Sequence, residues 1–290
     1  MSDATEPRRE LPLDPWLLEP MGAAFDEAIE SGLAELGLLD SAAAGDIARR
    51  TYEAHARLLR EWSQAINLTA IREPGEVARR HVIDSLSALP LLSELAHPGA
   101  TLLDIGSGGG YPGLPLAATL PLSYVGLLDS VGKKARFLDA AGRAVAAVLA
   151  EASSDEGESD EAGDSHAVVD IEAIGERAEA ATDEHGMREA FDIVISRAVG
   201  SLAEVLELSL PLTRVDGTVV AWKREEEGGG LRQELRGAGS IIRAAGGGRP
   251  RVVPVEAASL PGHRLVVLAK ERPTPPAYPR PAGVRKQRRR

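Results

Sequence analysis

The sequence contains no cysteine, and Phe, Trp and Tyr together make up only 3% of it. The absence of cysteine excludes disulfides, thiolate metal ligands and cysteine nucleophiles, and it makes the cytosol (a cytoplasmic location) the expected compartment. The low aromatic content leaves few platforms on which single-stranded bases could stack.

Long apolar runs are also missing. No stretch of about 18 apolar residues is present, which argues against a membrane span, and residues 1–15 lack the apolar segment of a secretory signal. Hydrophobic residues still make up 43% of the 290 residues, enough to bury a sizeable core. We expect a monomer without a membrane partner.

The charge is unevenly distributed along the chain. The formal net charge is −11, but residues 151–164 alone hold seven acidic residues and no basic one. Without those seven charges the net charge would be −4, and residues 280–290 carry six positive side chains and no acid. The acidic balance therefore does not exclude a nucleic-acid partner.

Changes in composition divide the chain into segments. A Pro- and charge-rich start predicts a flexible leader, a helical pattern follows, and then short apolar runs alternate with helical stretches. The predicted segments are a leader (1–22), a helical N-terminal region (23–97), an α/β domain (98–271) with an acidic insertion expected to be disordered (151–166), and a Pro-rich basic tail of irregular structure (272–290).

The apolar runs predict the strands of the α/β domain. Five of these runs are separated by segments long enough to hold a helix. This alternation favours a parallel sheet with helices on both faces. They are residues 101–105, 123–129, 191–196, 217–222 and 264–269. A further run at 251–257 is only six residues from the last one, which is too short a link for a crossover helix, so this end of the sheet is predicted to be an antiparallel hairpin.

The stretch LLDIGSGGGYPGLPLA places five glycines in eight residues, from Gly106 to Gly113, directly after the first predicted strand. A loop that binds nucleoside triphosphates would need a lysine after its last glycine, but Leu114 follows Gly113. Gly108, Gly110 and Gly113 instead fit the G-x-G-x-x-G pattern of dinucleotide loops, which S-adenosylmethionine sites share in part.

Two carboxylates near this loop bear on its ligand. Asp129 ends the second predicted strand, where an acidic residue meets a ribose diol in both classes of site. Asp104 lies two residues before Gly106, and a carboxylate there disfavours a pyrophosphate but suits a ligand with an ammonium and a sulfonium. Together with Pro112, which has no N–H to offer an anion, and the C-terminal hairpin, this favours S-adenosylmethionine.

Several separated stretches resemble one family, the bacterial small-subunit ribosomal RNA guanine-N7 methyltransferases, also called glucose-inhibited division protein B. They are NLT, RHVIDSL, DIGSGGGYPGLPLA, LLDSVGKKARFL, ERAEA and SRAVGSL, between about residues 48 and 270. The resemblance implies a Rossmann-like class I methyltransferase fold, with a mostly parallel seven-stranded sheet behind a small helical region. It also implies methyl transfer from S-adenosylmethionine to N7 of one guanosine in 16S rRNA, as naked RNA or in the small ribosomal subunit.

The resemblance also implies roles for individual residues. Gly106 and Tyr111 would line the glycine loop, beside Gly108, Gly110 and Asp104. Asp129 and Ser130 would meet the ribose. Ala178 and Glu179 would flank the adenine, and Arg197 would lie beside the methionine end. Two departures from the family pattern are the acidic insertion and Arg224, which follows Lys223 where the family often has glycine.

The chemistry of the residues is consistent with an N7 acceptor. C5 methylation of a pyrimidine usually needs a cysteine nucleophile, and exocyclic amine methylation often uses a [DNS]-P-P-[YFW] turn where this chain reads SRAV. Guanine N7 has an in-plane lone pair and no proton, so its attack needs alignment rather than a general base. No catalytic residue is therefore identified beyond the candidate Arg197, which could hold the cofactor carboxylate, guanine O6 or a phosphate.

The candidates for RNA contact are His81, Asp84, Lys133, Lys134 and Lys223. His81 and Asp84 share a face if they lie on a helix, either at the substrate mouth or as a group of interdomain hydrogen bonds. They lack a third ligand at suitable spacing, so no metal site is expected. Lys133 and Lys134 open a helix against its dipole, which suggests either phosphate contact or a solvated face.

Three other functions stay open at this point. A methyltransferase of the same fold could act on a small molecule, which would not need the basic segments. A nicotinamide dehydrogenase is disfavoured by Asp104 and by the final hairpin. An RNA-binding protein with a vestigial cofactor loop is disfavoured because the loop and Asp129 are both intact.

Overall fold

The computed structural model describes residues 11–155, 169–184, 186–225 and 229–287. Most of the predicted acidic insertion, residues 156–166, lies outside this range, and so do residues 1–10 and 288–290. The first residues of the insertion continue a long helix that ends at Asp155.

Seven strands form one sheet in the order β3-β2-β1-β4-β5-β7-β6. The strands are β1 (Ala100–Ile105), β2 (Leu122–Leu128), β3 (Asp170–Ile174), β4 (Phe191–Arg197), β5 (Thr213–Arg224), β6 (Arg251–Pro254) and β7 (His263–Ala269). Strand β7 runs antiparallel to both β5 and β6, while the other pairs are parallel. The mostly parallel sheet with a C-terminal antiparallel hairpin is therefore confirmed.

The helices lie before the sheet, between its strands and, in the case of the last one, after it. They are α1 (Ala23–Glu35), α2 (Asp46–Trp62), α3 (Pro74–Val77), α4 (Asp84–Leu86), α5 (Leu89–Leu95), α6 (Gly113–Ala117), α7 (Gly132–Asp155), α8 (Ala178–Glu184), α9 (Leu202–Ser209), α10 (Gly230–Ala244) and α11 (Ala282–Gln287). A π-helical turn over Ala78–Ile83 connects α3 to α4. Among the described residues, none of these helices is long and apolar enough to span a bilayer.

Two hydrophobic clusters cover the two faces of the sheet. One contains residues of α1, α2, α6 and α7 together with side chains of β1 and β2, so the N-terminal helices share a core with the sheet. The other joins β4 and β5 to α9 and α10. Because β1 and β4 are neighbours while their chain connections leave in opposite directions, the sheet has its topological switch point between them, which is where ligands bind in open α/β sheets.

Both ends of the described chain are held against the fold. In the segment predicted to be a flexible leader, the Pro12 carbonyl accepts a hydrogen bond from the indole N–H of Trp62 at 2.7 Å. The proline-rich tail was expected to have no regular structure, but Ala282–Gln287 forms the short helix α11. Arg280 of this tail pairs with the buried carboxylate of Glu207 at 2.6 Å.

Candidate active site

The glycine loop joins β1 to α6 and lies at the switch point. Gly106, Gly108 and Gly110 all have positive φ, at 73°, 56° and 78°, a region that residues with a Cβ avoid. A Cβ on Gly106 would collide with Cγ2 of Val199, and one on Gly110 would come within 2.9 Å of His55 Nε2. The loop therefore needs glycine both for its backbone conformation and for its packing.

Asp104 anchors this loop from below. Its side chain is fully buried, and Oδ2 accepts a hydrogen bond from the Gly113 N–H at 3.0 Å. Its Oδ1 is also buried and has no hydrogen-bond partner within the protein. Burial raises the pKa of this carboxyl to about 7. The residue thus offers one free acceptor that a cationic group could satisfy.

Asp129 follows β2 and faces the same loop. Its Oδ2 accepts from the Gly108 N–H at 3.1 Å, and its Oδ1 accepts from the Val131 N–H at 2.9 Å. Lys134, in the first turn of α7, has its Nζ at 3.8 Å from the Asp129 carboxylate, which gives this lysine a partner within the chain. Ser130 is exposed beside Asp129. These two residues could meet a ribose.

Tyr111 turns away from solvent into an aromatic stack. Its ring lies between those of His55 and His81, with centroid separations of 4.1 and 4.9 Å. His55 Nε2 is 2.7 Å from the Gly109 carbonyl oxygen, and His81 Nε2 is 3.0 Å from the Thr69 hydroxyl. Burial lowers the pKa of both histidines to about 3, so both are neutral. The stack connects the N-terminal helices to the glycine loop.

The two neutral histidines should make the fold acid-sensitive. The unfolded chain binds protons at these sites below about pH 6.5 and the folded chain does not, so stability is lost as pH falls through that range. A His55→Gln variant keeps an N–H for the Gly109 carbonyl but cannot titrate. Between pH 6 and 4 its unfolding free energy should fall less steeply than that of the wild type, by about 1.4 kcal/mol per pH unit.

Denaturant unfolding at several pH values measures this difference. The comparison of the two proteins cancels the opposite contribution of Asp104, whose raised pKa makes the folded state lose stability as pH rises toward 7. Parallel pH profiles for the wild type and His55→Gln would mean that His55 is protonated in the folded protein.

Arg197 ends β4 and connects three parts of the site. Its Nη1 donates to Asp84 Oδ2 at 2.7 Å and to the Arg80 carbonyl at 3.2 Å. Its guanidinium also lies over the Tyr111 ring, 5.8 Å from the centroid. The side chain therefore joins the carboxyl end of the sheet to the π-helical turn and to the aromatic stack. A guanidinium fixed in this way has little freedom left.

A cavity of about 480 Å³ opens next to Arg197. Its polar and aromatic lining includes six residues that come from five elements: His81, Asp84, Arg197, Trp222, Lys223 and His263. The segment 198–200 forms another wall and also contacts the glycine loop, because Val199 lies against Gly106. The cavity and the loop are therefore adjacent, as an acceptor pocket and a methyl-donor site must be.

The structure brings some of the predicted RNA-contact residues together and leaves others apart. His81, Asp84 and Lys223 line the cavity with Arg197. Lys223 is tied to the Glu234 carboxylate at 2.7 Å. Lys133 is exposed on the first turn of α7 and is not among the cavity residues.

The predicted adenine-flanking residues lie at the start of α8. Ala178 is buried, and the carboxylate of Glu179 is held by an ion pair with Arg285 of the C-terminal tail. No sequence pattern connects the tail to this position. In the described part of the chain, no group of three or more His, Asp or Glu side chains is placed to hold a metal ion.

Three residues of the candidate site carry no signal in the sequence. Trp222 and His263 line the cavity, and Val199 supports the glycine loop. In the sequence, Trp222 is one residue of an apolar strand pattern, and His263 precedes the last apolar run with no motif around it. Both are brought to the cavity by the β5–β7 pairing, in which Trp222 is opposite Leu265 and Arg224 is opposite His263.

Comparison with known proteins identifies the family. The family model described as rRNA small subunit methyltransferase G matches residues 49–153 and 160–236. A protein named ribosomal RNA small subunit methyltransferase G from Symbiobacterium thermophilum is 36% identical over 262 residues, which cover 90% of this chain and 96% of that protein. One of the same name from Roseiflexus sp. is 39% identical and covers 78% and 85% of the two chains.

Among solved structures, a 16S rRNA N2-guanosine methyltransferase from T. thermophilus, in complex with AdoMet and guanosine, aligns with a TM-score of 0.37. The identity is 20%, over 64% of this chain and 39% of that chain. The family model and the curated relatives cover most of the sequence, including the glycine loop and the end of β4. The chain belongs to the rRNA small subunit methyltransferase G family.

Proposed function

We propose that this enzyme transfers a methyl group from S-adenosylmethionine to N7 of a guanosine in 16S rRNA. The observation that supports this proposal most strongly is that the glycine loop and the cavity are adjacent in a chain of this family. A glycine loop with two carboxylates lies at the switch point, and a cavity of about 480 Å³ adjoins it through Val199.

The residues at the loop fit S-adenosylmethionine. The buried Asp104 Oδ1 lacks a donor and suits a cationic amino acid end, and Gly106, Gly108 and Gly110 give the loop the positive-φ backbone against which the cofactor would lie. Asp129 and Ser130 would hold the ribose, and Ala178 and Glu179 would flank the adenine. When bound, this cofactor supplies an electrophilic methyl group on a sulfonium.

The cavity residues would hold and align the acceptor. N7 attacks with its own lone pair and has no proton to lose, so the protein needs to fix the base and exclude water rather than supply a general base. Trp222 and the 198–200 segment provide apolar walls. Arg197 fixes the position of these walls relative to the π-helical turn, because it bonds both Asp84 and the Arg80 carbonyl.

The exposed cations near the cavity would contact RNA phosphates. Arg80 and Arg224 line the cavity and are exposed, and Lys133 is exposed at the start of α7, four residues after Asp129. Such contacts would give attraction that is independent of sequence and falls with salt. Small ribosomal subunits or 16S rRNA are the proposed partner, and a monomeric state remains a prediction.

The test is methylation of a defined RNA. Purified protein is incubated with S-adenosylmethionine and with small subunits that lack the modification, and the digested RNA is assayed for 7-methylguanosine by mass spectrometry. We expect 7-methylguanosine at one position, in a cofactor-dependent reaction. Cofactor binding without any methylated nucleoside would instead favour a small-molecule acceptor.

The affinity for S-adenosylmethionine should rise with pH if Asp104 meets its cationic end. The pKa of about 7 for Asp104 leaves this carboxyl mostly protonated at pH 6 and mostly ionised at pH 7.5. Since only the ionised form attracts a cation, the association constant should rise about eightfold over this range. Calorimetry measures it, and an Asp104→Asn variant should bind weakly with little pH dependence. An equally steep rise in the variant would assign the titration to another group.

A further inference from the structure

Asp84 presents a buried carboxylate that the protein only half satisfies. The residue is 7% exposed and follows the π-helical turn at the start of α4. Its Oδ2 accepts from Arg197 at 2.7 Å, and its backbone carbonyl accepts from the Trp222 indole N–H at 2.9 Å. The first bond orients the carboxylate, and the second holds the backbone of the residue. Its Oδ1 has no hydrogen-bond partner.

The imidazole of His263 lies beside this free oxygen. His263 Nε2 is 3.7 Å from Asp84 Oδ1, which is too long for a hydrogen bond. His263 Nδ1 is itself buried and unbonded, so no side-chain hydrogen bond holds this ring in place. Both residues line the cavity. A small shift of the imidazole would open Oδ1 to an occupant of the cavity.

An unpaired buried carboxylate oxygen is costly unless a ligand supplies a donor. The second carboxylate of the cavity, Glu234, does not offer the same opportunity. Its Oε2 already accepts from Lys223 Nζ at 2.7 Å and from the Leu202 N–H at 2.8 Å. The Glu234 side chain is also 40% exposed, against 10% for that of Asp84, so water can satisfy its other oxygen. Asp84 is therefore the buried acceptor that a base in this cavity would meet.

We propose that Asp84 determines base specificity by accepting hydrogen bonds from N1–H and the 2-amino group of the acceptor guanine. This inference rests on the proposed function. Only purines have an N7, and of the two common purines guanine presents donors at N1 and N2, whereas adenine presents a lone pair at N1. A carboxylate thus attracts one purine and repels the other, in the way that flipped bases are read at their Watson–Crick edge.

The charges around Asp84 favour the same base. Arg197 and Lys223 lie on the cavity wall, and cations favour the O6 acceptor of guanine over the N6 amine of adenine. Asp84 also keeps its position when the base is absent, because Arg197 and Trp222 hold it. The guanine edge would enter a pocket that is already built for it.

The experiment compares guanosine with inosine at the modified position. Small subunits are reconstituted with 16S rRNA that carries inosine there, which removes the 2-amino group and keeps N1–H, O6 and N7. The wild-type enzyme should methylate inosine with a kcat/KM at least about tenfold lower. In Asp84→Asn the guanosine rate should fall at least about tenfold, and the two substrates should differ by no more than about twofold, because the amino group has lost its partner.

The matched control is Glu207→Gln. It also converts a carboxylate to an amide in a buried arginine pair, but it lies on α9 against the tail arginine Arg280. Its ratio of guanosine to inosine rates should equal that of the wild type. S-adenosylmethionine affinity and circular dichroism check that both variants fold.

The outcomes separate this inference from the proposed function. A wild type that forms no 7-methylguanosine overturns the proposed function, and with it the role of Asp84. A wild type that forms it, with inosine methylated within twofold of guanosine, overturns the role of Asp84 alone, and this comparison needs no variant. An Asp84→Asn enzyme that keeps the full wild-type preference for guanosine overturns it as well.

Discussion

A Gly106→Ala enzyme should bind S-adenosylmethionine at least about tenfold more weakly than the wild type and lose most of its methyltransferase activity. Two costs add at this position. The backbone φ of 73° is unfavourable for alanine by about 1–2 kcal/mol. The new Cβ would also collide with Cγ2 of Val199, and overpacking of this kind costs about 1–3 kcal/mol. Calorimetric titration with the cofactor measures the loss.

Removing the obstructing side chain separates these two costs. In the double variant Gly106→Ala/Val199→Ala the collision is relieved while the backbone strain remains, so part of the affinity should return. Gly132→Ala serves as the control, because that glycine opens α7 with nothing within 4 Å of an added Cβ. Equal affinities for the single and double variants would show that the collision with Val199 plays no part.

Most strands of the sheet could be predicted from the sequence, because strands buried on both faces consist of short apolar runs. Strand β3 is the exception. Its residues alternate between acidic and apolar, and Asp170 and Glu172 are exposed, since β3 is the edge of the sheet and only one face needs to be buried. The antiparallel end could be read from a six-residue link, because chain length alone forbids a crossover there.

The glycine loop could be predicted, but the cavity could not. Asp104, Gly106 and Asp129 stand close together in sequence around one strand–loop–helix unit, so spacing alone places them. The cavity joins residues from the π-helical turn, β4, β5 and β7, and its partners are more than 100 residues apart, such as Arg197 and Asp84. Pairing across such separations depends on tertiary packing, which no local pattern encodes.

The C-terminal tail is also more ordered than its composition predicts. Its proline content predicted irregular structure, and composition carries no information on where a basic tail lies. The ion pairs Arg280–Glu207 and Arg285–Glu179 hold it against α9 and α8. Glu179, assigned to the adenine by resemblance, thus already has a cationic partner in the chain, and its contact with the adenine stays a prediction.

An Arg197→Met enzyme should be both less stable and less active. Methionine keeps much of the aliphatic length but leaves the buried Asp84 carboxylate without its 2.7 Å partner. Removing one member of a buried ion pair costs about 3–5 kcal/mol of stability. Activity should fall at least about a hundredfold, because the guanidinium also holds the Arg80 carbonyl and covers Tyr111, and a misplaced acceptor pocket loses that much in rate.

The double variant Arg197→Met/Asp84→Asn decides whether the lost activity follows from lost stability. Neutralising Asp84 removes the uncompensated charge, so the unfolding free energy should recover by at least about half of the loss. Methylation should not recover, since both the positioning guanidinium and the acceptor for the guanine edge are then missing. Denaturant unfolding and 7-methylguanosine formation on the same preparations give both values. If the activity returned together with the stability, Arg197 would act as a structural partner of Asp84, and the alignment of the acceptor base would have to come from the rest of the cavity wall.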